Sequence, residues 1–244
     1  MNLRNKVVLI TGGAKRIGKV LVETFAEHGA RVVFTYRQSG VEAQVLVRKL
    51  TQRGLHVISY RSELGILRDV KRVLKKIEQT WGCVDILINC ASDFYPTPLK
   101  KMTEKDWDYF MRVNLKGSFL YAWQAGLQMK KKGEGKIINL ADWAAKRVMK
   151  DYLPYCVSKT GVVGLTRALA VELAPEVCVN AIAPGPVLPP DKTTASERRA
   201  LAKSVPLLRL GSPTDIAEAA LFLVEQTDYI TGTVLTVDGG RLLF

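Results

Sequence analysis

The sequence predicts an α/β fold: one domain built on a doubly wound, seven-stranded parallel sheet with helices on both faces. Strand-like and helix-like segments alternate through most of the 244 residues, the order that generates βαβ connections. The strand-like runs are near-continuously apolar, as expected of strands buried on both faces. No composition shift, repeat or linker divides the chain, and a chain of this length can bury one large core. Residues 1–244 are therefore expected to form a single domain.

Lys6–Thr11, rich in Val and Ile, is the first strand. In Arg16–Gly29 the residues Ile17, Val20, Leu21, Phe25 and Ala26 recur at helical period on one face. Arg31–Tyr36 is the second strand and Val41–Arg53 the second helix. His56–Tyr60 and Leu67–Trp81 are the third pair, and Val84–Asn89 is the fourth strand. Thr103 caps a helix that Glu104 begins, and helical pattern resumes after Asn114 up to Lys132. Lys136–Leu140 is the fifth strand. Pro154 opens a long helix that ends before Pro175. After the sixth strand, Val177–Ile182, the prolines 184, 186, 189 and 190 make residues 184–194 an irregular loop, followed by a short charged helix. Such a loop is either an active-site lid or a passive connection. Ser212-Pro213 precedes a helix over Thr214–Val224, and Thr233–Val237 is the last strand, before Asp238-Gly239-Gly240.

Apolar residues are 48% and charged residues 24% of the chain, the balance of an ordinary globular protein. No apolar run reaches the roughly 18 residues a membrane helix needs. Met1–Lys6 leads straight into a strand, without the pattern of a signal peptide. Cys83, Cys90, Cys156 and Cys178 lack metal-site spacing and fall in apolar segments, so reduced core thiols in a cytoplasmic protein are expected. His28 and His56 are isolated, and no metal site is expected. The net charge of +13 admits attraction to anions or a basic solvated surface. Its clusters, Lys130-Lys131-Lys132 and Lys71-Arg72 with Lys75-Lys76, lack the interleaved aromatics of a nucleic-acid platform. The surface reading is preferred, with a small-molecule substrate and no nucleic-acid or membrane partner.

Chemistry first shows in Thr11-Gly12-Gly13-Ala14-Lys15-Arg16-Ile17-Gly18, between the first strand and helix. Glycines let the backbone approach a pyrophosphate, and the helix N-terminus offers N–H groups and a positive dipole end. Gly12, Lys15, Arg16, Ile17 and Gly18 are the expected contacts. The second strand ends in Tyr36-Arg37-Gln38-Ser39, without the acid that binds the ribose 2′-hydroxyl of NAD. Arg37 suits a 2′-phosphate, with Tyr36 and Ser39 beside it and Lys15 and Arg16 adding to the field. NADPH is therefore expected over NADH.

Tyr155 and Lys159 lie four residues apart and share a helix face. A phenol with an ordinary pKa of about 10 needs help to exchange a proton near neutral pH. An ammonium one turn away stabilises the phenolate and lowers that pKa.

Together these motifs resemble the short-chain dehydrogenase/reductase family, whose cofactor turn reads Thr-Gly-x-x-x-Gly-x-Gly; Arg16 stands where the middle glycine is usual. Asn89-Cys90-Ala91-Ser92 looks like the family's Asn-Asn-Ala-Gly, and Glu63-Leu64 like its Asp-Leu at the adenine. Asn114 matches the asparagine that in relatives holds a water behind the lysine. Pro184-Gly185 matches the segment flanking the nicotinamide, and Asp238-Gly239-Gly240 the usual ending. The resemblance implies a Rossmann sheet of order 3-2-1-4-5-6-7, with NADPH across the carboxyl ends of the strands. It adds Glu63, Leu64, Asn89, Ala91, Ser92, Tyr155, Lys159, Pro184 and Gly185 to the cofactor contacts. It also implies a homotetramer; the apolar Val162, Val163 and Leu165 fit such an interface or simple core packing.

Two departures narrow the resemblance. Asp142 stands where the family usually has a serine that binds a substrate carbonyl, and Arg16 replaces a glycine. With Ser92-Asp93-Phe94-Tyr95-Pro96-Thr97-Pro98-Leu99, they resemble the pteridine reductase branch. There an aspartate accompanies the Tyr-Lys pair, a phenylalanine stacks on the pterin and a serine approaches the pterin and cofactor, roles that fall on Asp142, Phe94 and Ser92 in turn. A carboxyl group beside Tyr155 can bind the donor edge of a heterocycle or relay a proton. An ionised carboxylate would instead repel a developing alkoxide. The expectation is an NADPH-dependent reductase that passes a hydride to a pteridine, with acceptance of dihydrofolate left open by the sequence. Tyr155 gives the proton, Lys159 lowers its pKa and holds the ribose, and Asn114 anchors a water. The alternatives are a 3-oxoacyl-[acyl-carrier-protein] reductase or another carbonyl reductase, and an NADPH-sensing protein without turnover.

Overall fold

Side-chain parity along the strands explains why helices cover both faces. The computed structural model describes residues 1–189 and 193–243. In chain order it has β1 (Val7–Thr11), α1 (Arg16–Glu27), β2 (Arg31–Tyr36), α2 (Gly40–Thr51), β3 (Val57–Arg61), α3 (Leu67–Trp81), β4 (Ile86–Asn89) and α4 (Glu104–Phe110). Then follow α5 (Gly117–Lys132), β5 (Gly135–Leu140), α6 (Leu153–Glu172), β6 (Val177–Pro184), α7 (Ala195–Lys203), α8 (Pro213–Leu221) and β7 (Val234–Val237). Along β1, Val8 and Ile10 enter a layer with Leu21 and Phe25 of α1, Leu46 and Leu50 of α2, and Ile216 of α8. Val7 and Leu9 enter the other, with Val73 and Ile77 of α3, Tyr121 and Met129 of α5, and Leu169 of α6. Alternate residues of a strand point to opposite faces, so an unbroken apolar run needs cover on each.

The seven strands are parallel in the order β3-β2-β1-β4-β5-β6-β7. The chain steps outward from β1 to β3, then returns to lay β4 on the other side of β1. That reversal opens a crevice at the carboxyl ends of β1 and β4, the place where such sheets bind ligands.

Thr103 caps α4 through a reciprocal pair of bonds: its hydroxyl accepts from the Asp106 N–H, and the Asp106 carboxylate accepts from the Thr103 N–H. The helical path is not interrupted at Asn114. It continues from α4 to α5 through a π-turn over Met111–Lys116, where the Gly117 N–H reaches back to the Arg112 carbonyl. The wider turn carries Asn114 inward, and such turns recur at functional sites.

Val162 is buried, and Val163 and Leu165 pack partly buried against the core; core packing accounts for all three. Cys156 is the one buried cysteine, whereas Cys83, Cys90 and Cys178 are half-buried, so "core thiol" fits only Cys156. Pro184 closes β6, and α7 has no buried residue behind its Thr194/Glu197 capping box. Pro190 of the expected proline-rich loop lies outside the described residues.

Candidate active site

The β1–α1 turn is shaped for close backbone approach. Gly12 sits at φ +71°, and a Cβ there would lie 2.8 Å from the Ala91 Cα. A Cβ on Gly18 would lie 2.2 Å from the Gly12 carbonyl oxygen. The start of α1 is thus pressed onto the end of β1, with its N–H groups facing a cleft of about 430 Å³. Arg16 sits at φ +54°, a left-handed conformation natural to the glycine that the family has there. Its guanidinium donates to the Leu188 carbonyl and, at 3.5 Å, to that of Pro189, tying this turn to the segment after β6. Lys15 is paired with Glu42 on α2 at 2.6 Å.

Of the expected cofactor contacts, Gly12, Lys15, Arg16, Ile17, Gly18, Tyr36, Arg37, Ser39, Glu63, Leu64, Ala91 and Ser92 line this one cleft. Asn89, Tyr155, Lys159, Pro184 and Gly185 do not. The Asn89 side chain turns inward: its Nδ2 donates to the Ser118 carbonyl (3.1 Å) and to Asn139 Oδ1 (2.9 Å). Asn139 Nδ2 in turn donates to Thr166 Oγ1 on α6 at 3.0 Å. This buried ladder joins α5, β4, β5 and α6. Gly185 leaves the end of β6, its N–H bonded to the Val237 carbonyl at 3.0 Å. The tight glycine turn, the N–H groups of α1 and the arginine at the β2 end suit a nicotinamide dinucleotide.

Arg37 has protein partners of its own. It donates to the Tyr109 hydroxyl, which donates to Asp93; the Arg37–Asp93 pair is 3.4 Å apart. Glu63 pairs with Arg112 at 3.2 Å and approaches Arg37 at 4.0 Å. Asp69 accepts from the Glu63 N–H at 2.8 Å and fixes that loop.

The catalytic candidates meet where β5 ends and α6 begins. Tyr155 and Lys159 are both buried on the sheet-facing side of α6. Lys159 Nζ donates to the Leu140 carbonyl at 2.8 Å and lies 5.9 Å from the centre of the Tyr155 ring. Tyr155 donates its hydroxyl to Asp142 Oδ2 at 2.7 Å, while Asp142 Oδ1 accepts from the Ala144 N–H at 2.8 Å. Burial pushes the Tyr155 phenol well above its ordinary pKa, and neighbouring Asp142 pushes it further. The net direction is thus the reverse of the expected lowering by Lys159, because burial and the adjoining carboxylate prevail. Burial also raises the Asp142 pKa, against the Ala144 and Tyr155 hydrogen bonds and the Lys159 charge. It lowers that of Lys159, against Asp142.

Asn114 holds the loop that follows β4. Its Oδ1 accepts from the Asp93 N–H (2.9 Å), and its Nδ2 donates to the Asp93 carbonyl (3.1 Å) and Ser158 Oγ (3.1 Å). Ser158 donates to the Tyr155 carbonyl at 2.7 Å. The Thr97 N–H is bound to the Asp151 carbonyl at 2.6 Å. Between these anchors, Phe94 is 44% exposed, stacked on Tyr152 (4.6 Å, 11°) and edge-on to Tyr155 (4.8 Å, 73°). Ser92 is exposed on the same loop.

A family model described as "Enoyl-(Acyl carrier protein) reductase" matches residues 12–241. The chain belongs to the short-chain dehydrogenase/reductase family. It is 36% identical, over 100% of its length and 99% of the relative, to (2S)-[(R)-hydroxy(phenyl)methyl]succinyl-CoA dehydrogenase subunit BbsD of Thauera aromatica. It is 32% identical to the 3-oxoacyl-[acyl-carrier-protein] reductase FabG of Staphylococcus epidermidis, over 98% of this chain and 100% of that one. A gluconate 5-dehydrogenase from Burkholderia cenocepacia, solved with NADP and tartrate, superposes with a TM-score of 0.93 at 29% identity, covering 100% and 97% of the two chains. The chain is thus an oxidoreductase of this family. Among the described residues, no His, Cys, Asp and Glu cluster could hold a metal ion, and no helix is long and apolar enough to cross a membrane.

Tyr109, Tyr152, Arg112 and Ser158 were not expected at the site. Tyr109 and Arg112 carried a usable signal: they are an aromatic–arginine pair three residues apart on one helical path, with Arg112 5.4 Å over the Tyr109 ring.

Proposed function

We propose that this protein is an NADPH-dependent reductase acting on a flat pteridine-like heterocycle, with Tyr155 as proton donor. The Asp142–Tyr155 hydrogen bond carries the reading. When bound, NADPH supplies the hydride to the carbon of a C=N bond, and the nitrogen then needs a proton. Tyr155 is kept protonated by burial and by Asp142, so it is a donor at neutral pH rather than a base. Asp142 offers the amide and amino edge of such a ring a hydrogen-bonding carboxyl group. Phe94 presents an aromatic face beside it, with Ser92 on the same loop. Lys159 keeps a positive charge behind the phenol as it loses its proton, and Asn114 steadies the loop that carries Phe94. Arg37 at the β2 end, with no acid among residues 36–39, supports NADPH over NADH.

The relatives favour a second reading, reduction of a 3-oxoacyl thioester, because FabG and BbsD are named for acyl-carrier-protein and CoA substrates. Asp142, where a neutral hydroxyl donor would serve an alkoxide better, counts against it. The same proposal includes a cytoplasmic location and homotetrameric assembly. Phe119, Trp123 and Leu127, exposed at every fourth position of α5, support a contact with another copy.

The test follows NADPH consumption with dihydrobiopterin, dihydrofolate and acetoacetyl-CoA, using wild type, Asp142→Ser and Tyr155→Phe. Pterin turnover that falls in Asp142→Ser supports the heterocycle reading. Turnover of acetoacetyl-CoA alone, kept or improved by the serine, refutes it in favour of the thioester. Tyr155→Phe should lose about 10²–10⁴-fold in turnover while still binding NADPH.

A further inference from the structure

We propose that Asp93 is a built-in competitor for the 2′-phosphate of the cofactor: it engages the Arg37 guanidinium and so limits how strongly the protein prefers NADPH over NADH. The inference rests on the NADPH reading above. Arg37 follows β2 and Asp93 follows β4, the two strands that flank β1, and both residues line the same cleft. Their side chains therefore meet across the end of β1. Tyr109 sits between them, accepting from Arg37 and donating to Asp93, with the Arg37 guanidinium 5.8 Å from its ring centre. The direct Arg37–Asp93 separation is 3.4 Å. Glu63, the other acid near Arg37, is farther off at 4.0 Å and is paired with Arg112. Asp93 is thus the carboxylate that a phosphate must replace.

The exchange is confined to side chains. Asn114 binds both the N–H and the carbonyl of Asp93, so the loop backbone stays in place when Arg37 turns away. The Arg37 and Asp93 side chains are 34% and 36% exposed. A pair so accessible to water is weak, which lets a phosphate with nearly two charges win while losing part of its margin. NADH carries no group for Arg37 and should not feel the competition.

The experiment measures NADPH and NADH dissociation constants by fluorescence titration for wild type, Asp93→Asn, Arg37→Ala and the double variant. Asparagine keeps an acceptor for Tyr109 and removes the charge. Asp93→Asn should tighten NADPH by about two- to fivefold, leave NADH unchanged, and have no effect in the Arg37→Ala background. Equal tightening of both nucleotides, or no change, overturns the inference alone. The same NADPH gain without Arg37 also overturns it, by assigning the effect to plain repulsion between Asp93 and phosphate. If wild type binds neither nucleotide, the cofactor reading fails, and the inference with it.

Discussion

Gly18→Ala tests whether the α1 N-terminus is the seat of the pyrophosphate. The new Cβ would lie 2.2 Å from the Gly12 oxygen, 2.9 Å from the Gly12 carbonyl carbon and 3.1 Å from the Gly13 Cα, where ordinary contact begins at 3.4 Å. All three obstacles are backbone, so no side chain can rotate aside and α1 must back away from β1 by about 1 Å. Overpacking of this kind costs up to about 3 kcal/mol. Alanine recovers about 1 kcal/mol as the better helix former. The net loss of about 2 kcal/mol corresponds to a Tm lower by about 4–8 °C in a chain of this size. Nucleotide binding should suffer separately. If the displaced N–H groups lose one charge-assisted bond of about 1.5–3 kcal/mol, the NADPH Kd rises about ten- to hundredfold. Thermal melting and fluorescence titration on the same sample separate the two effects. A lower Tm with an unchanged Kd would refute the placement of the pyrophosphate at this helix end.

In Asp142→Ser, loss of the carboxylate makes the Tyr155 phenolate less unfavourable, so the phenol's pKa falls. The alkaline limb of the kcat/KM profile should move to lower pH, and a limb that stays or moves up contradicts the assigned coupling. Asp69 is held below the ordinary carboxylate pKa by the Glu63 N–H and then by Arg72. A lowered folded pKa gives stability that is present above the unfolded value and lost as pH falls through the folded one. Asp69→Ala should therefore cost about 1–2 kcal/mol near pH 7, a gap that closes in acid; melting curves with a constant gap would exclude the linkage. Phe94→Ala removes a half-exposed ring, so Tm should fall little. The KM for pterins should rise about tenfold, for an aromatic contact of about 1.4 kcal/mol, with a smaller effect on acetoacetyl-CoA.

The sheet was readable because its strands need cover on both faces, a demand written into unbroken apolar runs such as 7–10 and 86–88. The spacing of Tyr155 and Lys159 correctly placed both on one buried helix face. Spacing along one helix could not show that Asp142 would lie closer to the phenol than the ammonium does, because that distance depends on how β5 meets α6. Arg37 and Tyr109 are 72 residues apart, and only the return of the chain to β4 brings them together. Asn89 shows a different limit: a motif places a residue along the chain but not the side to which its amide turns. The π-turn was hidden because its polar residues, Arg112, Asn114 and Lys116, read as a gap in helical pattern rather than as a wider turn.

The Asn89–Asn139–Thr166 ladder has a consequence for how this protein can change. Tyr155, Lys159, Val162 and Thr166 form one buried stripe along α6, so the bond from Asn139 to Thr166 sets the rotation of the whole helix about its axis. Tyr155 and Lys159 are thereby indexed to the sheet from three and two turns away. Asp142 and Phe94 stand on connecting segments that this ladder does not hold. Substitution in residues 92–99 and 142–151 can retune the phenol and change the surroundings of the pair without turning α6 on the sheet. A change at Asn139 or Thr166, remote from any substrate, would instead degrade every activity of the fold at once.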